Sequence, residues 1–293
     1  MRSGGIAFFD SGVGGLSVLS ACLKSVRGLP VYYYGDNARA PYGNRNIEEI
    51  RAYTHEAFSL FYRLGVSAVV VACNTVTALM IDELRATYSF PIVGIEPAIL
   101  PAARKGGRVL VLATKATAES ARLKRLTAVA QRRCQNVKIR TIPCAYLAEE
   151  IERACRCGDL PSTFSLPRVE ADGVVLGCTH YSLIKNRIAE FYAAEVFDGN
   201  DAVATRLWQL IAEEEKSRGN SGENLPKIGS FCASKKSLRR IHFFVEKRRK
   251  KARRFSLKKQ ACFWKLKNAQ VLYFLGSGRV VNRQIYERMF AFG

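Results

Sequence analysis

No stretch of this chain approaches the roughly 18 consecutive apolar residues that a membrane-spanning helix needs, so no membrane span is expected. A charged-then-apolar leader before Ile6 is missing as well, which points to a cytoplasmic protein. In that reducing compartment the nine cysteines are expected to remain thiols rather than pair as disulfides. Cys155 and Cys157 form a CxC without the second ligand pair that zinc requires, and no metal site is expected. A Walker-type lysine motif is absent. The glycine-rich stretch Gly12-Val13-Gly14-Gly15 imitates a dinucleotide-binding turn, with Asp36 as the downstream acid, but Ser17 stands where the third glycine belongs. Asp10-Ser11 just ahead of it would also set a carboxylate against any pyrophosphate. These glycines therefore read as a tight turn that exposes backbone N–H groups to a substrate carboxylate.

Acids are scarce too: 25 Asp and Glu face 46 Lys and Arg, for a formal net charge of +21. Most of that excess is local. Between Lys235 and Lys267 there are fifteen Lys and Arg against one acid, Glu246. Three readings of this segment stand side by side. A basic helix from Phe243 to Phe255 could meet nucleic-acid phosphates through Lys247, Arg248, Arg249, Lys250, Lys251, Arg253 and Arg254. A solvated extension without a role is the commoner fate of a charge run. The abrupt change of composition near Ser230 also fits a shifted reading frame. Lys258 to Trp264 and Val271 to Leu275 mix aromatic and β-branched residues, which is unlike a simple tail.

What is present in the rest of the chain is a duplicated phrase. VVVACNTVTA (Val69 to Ala78) and VVLGCTHYSL (Val174 to Leu183) each read as a buried strand that ends in a cysteine, followed by a turn that starts at Asn74-Thr75 or Thr179-His180. Upstream of each lies another related unit. Ile6 to Phe9 is a strand ending in Asp10-Ser11 before a helix start at Leu16, and Val109 to Leu112 is a strand ending in Ala113-Thr114 before a helical pattern from Ala118. Two related α/β halves at this spacing predict two pseudo-symmetric lobes with mainly parallel sheets and an active site in the cleft between them. Cys73 and Cys178 would confront one ligand from opposite sides.

Opposed thiols suit inversion at an acidic carbon, where one group removes a proton from one face and its twin returns a proton to the other. A thiol with an unperturbed pKa near ~8.5 can serve as acid or, once ionised, as base. Lone cysteines after apolar strands are more often packing residues, and Cys22, Cys134, Cys232 and Cys262 are read that way.

The residues FFDSGVGGLSVL (Phe8 to Leu19), YYYGDNARAPYG (Tyr32 to Gly43), VVVACNTVTA, GIEPA (Gly94 to Ala98) and VVLGCTHYSLIK (Val174 to Lys185) resemble the glutamate racemase family over about residues 6 to 205. The resemblance implies a cofactor-independent isomerase that makes D-glutamate for peptidoglycan, and with it cell-wall biogenesis and cell shape. It implies a first lobe of residues 1–96 completed by about 206–230, a second lobe of 97–205, and a divergent segment 231–293. It also implies a homodimer. On matching positions, Cys73 deprotonates D-glutamate and Cys178 deprotonates L-glutamate, with Asp10 and His180 as helpers and Glu152 as the acidic partner on the second side. Glu149 and Glu150 lie close enough to Glu152 to compete for that place. The substrate contacts implied are Asp10, Ser11, Asp36, Tyr42, Gly43, Asn74, Thr75, Thr114, Thr117, Thr179 and His180, neutral donors for the most part, some of which can also be ordinary helix N-caps. An aspartate racemase of the same two-cysteine type, and a racemase-like scaffold that binds nucleic acid through its basic end, remain as alternatives.

Overall fold

The computed structural model describes residues 4–26, 28–157, 163–219, 262–265 and 271–276. The nucleic-acid contact expected at Lys247 to Arg254, and Cys232, lie outside these residues.

Two open sheets carry the molecule. The first contains β1 (Ile6–Asp10), β2 (Val31–Gly35), β3 (Ala68–Val71), β4 (Ile92–Gly94), β9 (Cys262–Lys265) and β10 (Val271–Gly276), in the order β4-β3-β1-β2-β10-β9. The second contains β5 (Gly107–Ala113), β6 (Val137–Pro143), β7 (Gly173–Gly177) and β8 (Glu195–Phe197), in the order β6-β5-β7-β8. Read from the other edge, β8-β7-β5-β6 reproduces β4-β3-β1-β2 strand for strand, which is the duplication seen in the sequence. Every pairing is parallel except that of β9 with β10.

Parallel strands need helical crossovers, and these cover both sheet faces. The crossovers after β1, β2 and β3 hold α1 (Leu16–Cys22), α2 (Ile47–Leu64) and α3 (Asn74–Thr87), and α4 (Ile99–Lys105) leads into the second sheet. There α5 (Lys115–Glu119), α6 (Ala121–Arg133), α7 (Leu147–Cys157), α8 (Thr179–Ser182) and α9 (Lys185–Tyr192) follow, and α10 (Asn200–Gly219) returns to pack on α1. Alternation along the strands sorts the core. Phe8, Val31, Tyr33 and Val70 face one side, in a cluster that continues into Leu110, Leu112, Val174 and Leu176 of the second sheet. Phe9, Tyr34, Val69 and Val71 face the other, against α2 and α3. One apolar core therefore runs through both lobes.

Local signals explain the element ends. Asn46 caps α2 by accepting from the Glu49 N–H at 2.8 Å, and Gly65 closes it in the left-handed region at φ 66°. The helical pattern expected from Ala118 is two helices, because Ser120 is extended and its hydroxyl accepts from the Leu123 N–H at 3.1 Å to start α6. Each cysteine is followed by a helix rather than a free turn, with Cys73 at the N-cap of α3 and Cys178 at the N-cap of α8. Cys22 is buried in the core, where burial pushes its thiol up to about 12. Among the described residues no helix is long and apolar enough to cross a membrane.

Candidate active site

The C-terminal ends of β1 and β3 face those of β5 and β7, and the side chains set there by the sequence meet across the gap. On the first lobe the Cys73 thiol points to the Ser11 hydroxyl at 3.6 Å. On the second, the Cys178 sulfur lies 3.7 Å from Nδ1 of His180, whose Nε2 contacts Glu152 Oε2 at 2.6 Å. Asp10, Ser11, Asn74, Thr75, Thr114, Thr117, Glu152, Thr179 and His180 are all buried with the two thiols.

The lobes are tied by a crossed pair of contacts. Thr179 of the second lobe donates to Asp10 of the first at 3.2 Å, while Thr75 of the first hydrogen-bonds Thr114 of the second at 3.0 Å. Each cysteine helix thus reaches over to the strand end opposite. Thr114 also accepts from the Thr117 N–H at the start of α5, so it serves as an N-cap as well. The Asn74 amide nitrogen is buried with no hydrogen-bond partner among the described residues, a donor held in reserve at the gap.

The glycine turn is used differently from the expectation. Its Gly12 N–H goes to Asp10 Oδ2 at 3.0 Å and the Val13 N–H goes to Glu152 Oε2 at 3.1 Å, so both donors are committed to protein carboxylates. The glycine at 14 is required by proximity: a Cβ there would fall 2.6 Å from the His180 backbone nitrogen and 2.6 Å from Thr179 Oγ1. Asp36 is likewise engaged by protein groups. It accepts from the Tyr42 hydroxyl and pairs with Arg39 at 3.2 Å. Gly43 is what touches the other lobe, against Thr114.

Of the three adjacent acids on α7, Glu152 is 2% exposed and turned to His180, Glu149 is exposed, and Glu150 bonds Ser165. Helix periodicity decides this, since Ala148, Ile151 and Cys155 form the buried face beside Glu152. Two supporting residues were not anticipated. Tyr33 donates to the Gly12 carbonyl at 2.8 Å and steadies the glycine turn, and Tyr181 donates to the Cys144 carbonyl at 3.1 Å. The parity of Tyr33 within VYYYG, on the same sheet face as Phe8, was the available signal for the first.

Electrostatics differ on the two sides. Burial, reinforced by the Asp10 carboxylate, pushes the Cys73 thiol up to about 12, against the opposing pull of the Val76 N–H and the Ser11 hydroxyl. Burial also raises Asp10, although His180 and the N–H groups of Gly12 and Gly15 oppose it. At His180 burial pulls downward, but its hydrogen bonds to Cys178 and Glu152 outweigh this and hold the imidazole well above its usual range. One side therefore holds a protonated thiol near a carboxylate. The other sets an imidazole–carboxylate pair against its sulfur.

Two buried thiols, each with its own polar partner, thus stand at equivalent strand ends of a duplicated unit. Residues 11–207 match the family described as Asp/Glu/hydantoin racemase. The chain belongs to that family. A glutamate racemase of Clostridium botulinum strain Okra is 38% identical over 223 residues, covering 73% of this chain and 86% of its own length. The Escherichia coli glutamate racemase, solved in complex with L-glutamate and the activator UDP-MurNAc-ala, is 29% identical with a TM-score of 0.62 over 71% of this chain and 83% of that one. The fold of a Campylobacter jejuni glutamate racemase, at 24% identity and a TM-score of 0.58, covers 97% of this chain and 96% of that one.

Proposed function

We propose that this chain interconverts L-glutamate and D-glutamate by proton transfer at Cα between Cys73 and Cys178. What carries the reading is the pair of buried thiols at the ends of equivalent strands, each with its own polar partner. With D-glutamate bound, the Cys73 thiolate takes the α-proton and the second side returns one to the opposite face. With L-glutamate the roles exchange. In this reading Asn74 and the hydroxyls of Thr75, Thr114 and Thr117 supply donors for the carboxylates, and Asp10 receives the substrate ammonium. Enclosure by the two lobes keeps water from quenching the carbanionic intermediate and strengthens each of these contacts. The D-glutamate formed would supply peptidoglycan synthesis in the cytoplasm.

The test is proton NMR in deuterated buffer with each glutamate enantiomer alone and without added cofactor, following the α-proton signal and optical rotation together. Loss of both from either enantiomer is the expected result, with aspartate as control. Exchange with aspartate alone would move the assignment to that substrate, and no exchange by folded protein would overturn it.

A pH profile follows from the raised Cys73. Because the enantiomers have equal free energies in water, kcat/KM must be the same in both directions at any pH, and the active form has one thiol ionised and its twin protonated. A thiol near 12 is not lost as an acid in the accessible range, so kcat/KM is expected to hold or rise between about pH 7 and 9. Stopped assays over that interval would show a fall if the protonated thiol were lost early.

A further inference from the structure

The turn Tyr42–Asn44 belongs to the first lobe but meets the second. A Cβ on Gly43 would come within 2.6 Å of Thr114 Cβ, and the Asn44 amide donates to the Ala145 carbonyl at 2.6 Å. Within the first lobe the turn is anchored by the buried Tyr42 ring against Phe9 and Tyr53, and the chain on either side of it is fixed separately. Two arginines fasten those flanks to one stripe of α2, formed by Glu49, Tyr53 and Glu56 at helical spacings of four and three. Arg39 carries most of the connection. Its Nε reaches Asp36 at 3.2 Å, its Nη2 reaches Glu56 at 3.0 Å, and its guanidinium lies 4.2 Å from the centre of the Tyr53 ring. Arg45 approaches the same ring at 5.9 Å, pairs with Glu49 at 3.6 Å, and donates through Nε to the Arg39 carbonyl at 2.6 Å. The buried Asp36 in turn receives the Tyr42 hydroxyl.

We propose that Arg39 is a positioning residue that fixes the Tyr42–Gly43 turn against Thr114, and so sets the affinity for the substrate carboxylate without taking part in proton transfer. The guanidinium is used in three ways at once: a fork edge to one carboxylate, a second edge to another, and a flat face on an aromatic ring. An ammonium can replace the charge but neither the fork nor the face. Displacing the turn weakens a contact made alike in the bound substrate and in the transition state. Such a loss appears in KM with kcat nearly unchanged.

The proposal rests on the glutamate reading for the carboxylate contact of the turn and for its assay, and wild-type protein that fails to racemise glutamate would reject that reading rather than the anchoring by Arg39. In active protein, Arg39→Gln is expected to raise KM for both enantiomers on the order of ten- to a hundredfold. Its kcat should stay within about threefold, with Arg39→Lys intermediate and methylguanidinium restoring part of the KM of Arg39→Ala. Arg45→Gln, which leaves Asp36 paired, should move KM in the same direction by less and provides the readout if the Arg39 variants do not fold. A fall in melting temperature with KM unchanged in the folded variants, or a fall in kcat at constant KM, would overturn the assignment.

Discussion

Cys73→Ser and Cys178→Ser are each expected to lose racemisation by a factor on the order of 10² to 10⁴, the usual contribution of a positioned acid or base. Serine keeps the size and the hydrogen bond but cannot ionise as a thiol does. Both directions must fall together, because each turnover uses one thiol as base and the other as acid. The partial reaction separates the two sites. In Cys178→Ser only the face served by Cys73 retains a thiol, so residual α-proton exchange is expected with D-glutamate alone. In Cys73→Ser it is expected with L-glutamate alone. Deuterium incorporation without change of optical rotation is the measurement, and full racemisation by either folded variant would sink the two-base reading.

The second large effect is expected at the buried pair of His180 and Glu152. Both side chains are enclosed, and Glu152 Oε2 is shared between the imidazole and the Val13 N–H of the opposite lobe. Removing one member of such a pair leaves a buried charge without its partner, which costs about 3–5 kcal/mol. His180→Asn should therefore lower stability markedly, and turnover with it. Its pH dependence has a definite sign. The folded protein holds this imidazole above its unfolded range, so the associated stability is fully present below about pH 6.5 and is lost as pH rises through the folded value. The melting-temperature gap between wild type and His180→Asn is expected to be widest in mildly acidic buffer and to narrow in alkaline buffer. A gap that is constant from acid to alkali would contradict the charged pair. Glu152→Gln, similar in shape, should preserve more of the fold while removing the support that keeps the imidazole protonated.

Much of this was legible in the sequence because strand ends and buried alternation leave local marks. The β-branched runs before Cys73 and Cys178 gave two strands of the duplicated unit, and Ile6 to Phe9 with Val109 to Leu112 gave two more. The assembled residues Asp10, Ser11, Asn74, Thr75, Thr114, Thr117, Thr179 and His180 lie next to these marks, and the family resemblance is what singled them out. Other features depend on distance rather than on neighbours. The destination of the Val13 N–H is set by α7, which is remote in sequence, and nothing in the turn itself announces it, whereas the Gly12 N–H turns back to its near neighbour Asp10. Glu152 could not be told from Glu149 and Glu150 until the buried face of α7 was known. The strand β9 lies in the basic stretch Lys235 to Lys267 and β10 just after it, and the pairing of β10 with β2 is a long-range matter with no local signal for the partner.

That placement of β10 bears on how the molecule is made. The second sheet is drawn from one continuous stretch, Gly107–Phe197, and can close while the chain is still emerging from the ribosome. The first cannot. Val31–Gly35 is made long before the strand that covers its free edge, Val271–Gly276. Throughout that interval a tyrosine-rich edge stands with unpaired backbone donors and acceptors, the kind of surface on which neighbouring nascent chains join. The same sheet carries Asp10 and leads into Cys73, so one half of the proposed site lies in the sheet whose edge is covered late. Yield of active protein should therefore depend on chaperone supply and growth temperature more than the stability of the finished fold would suggest.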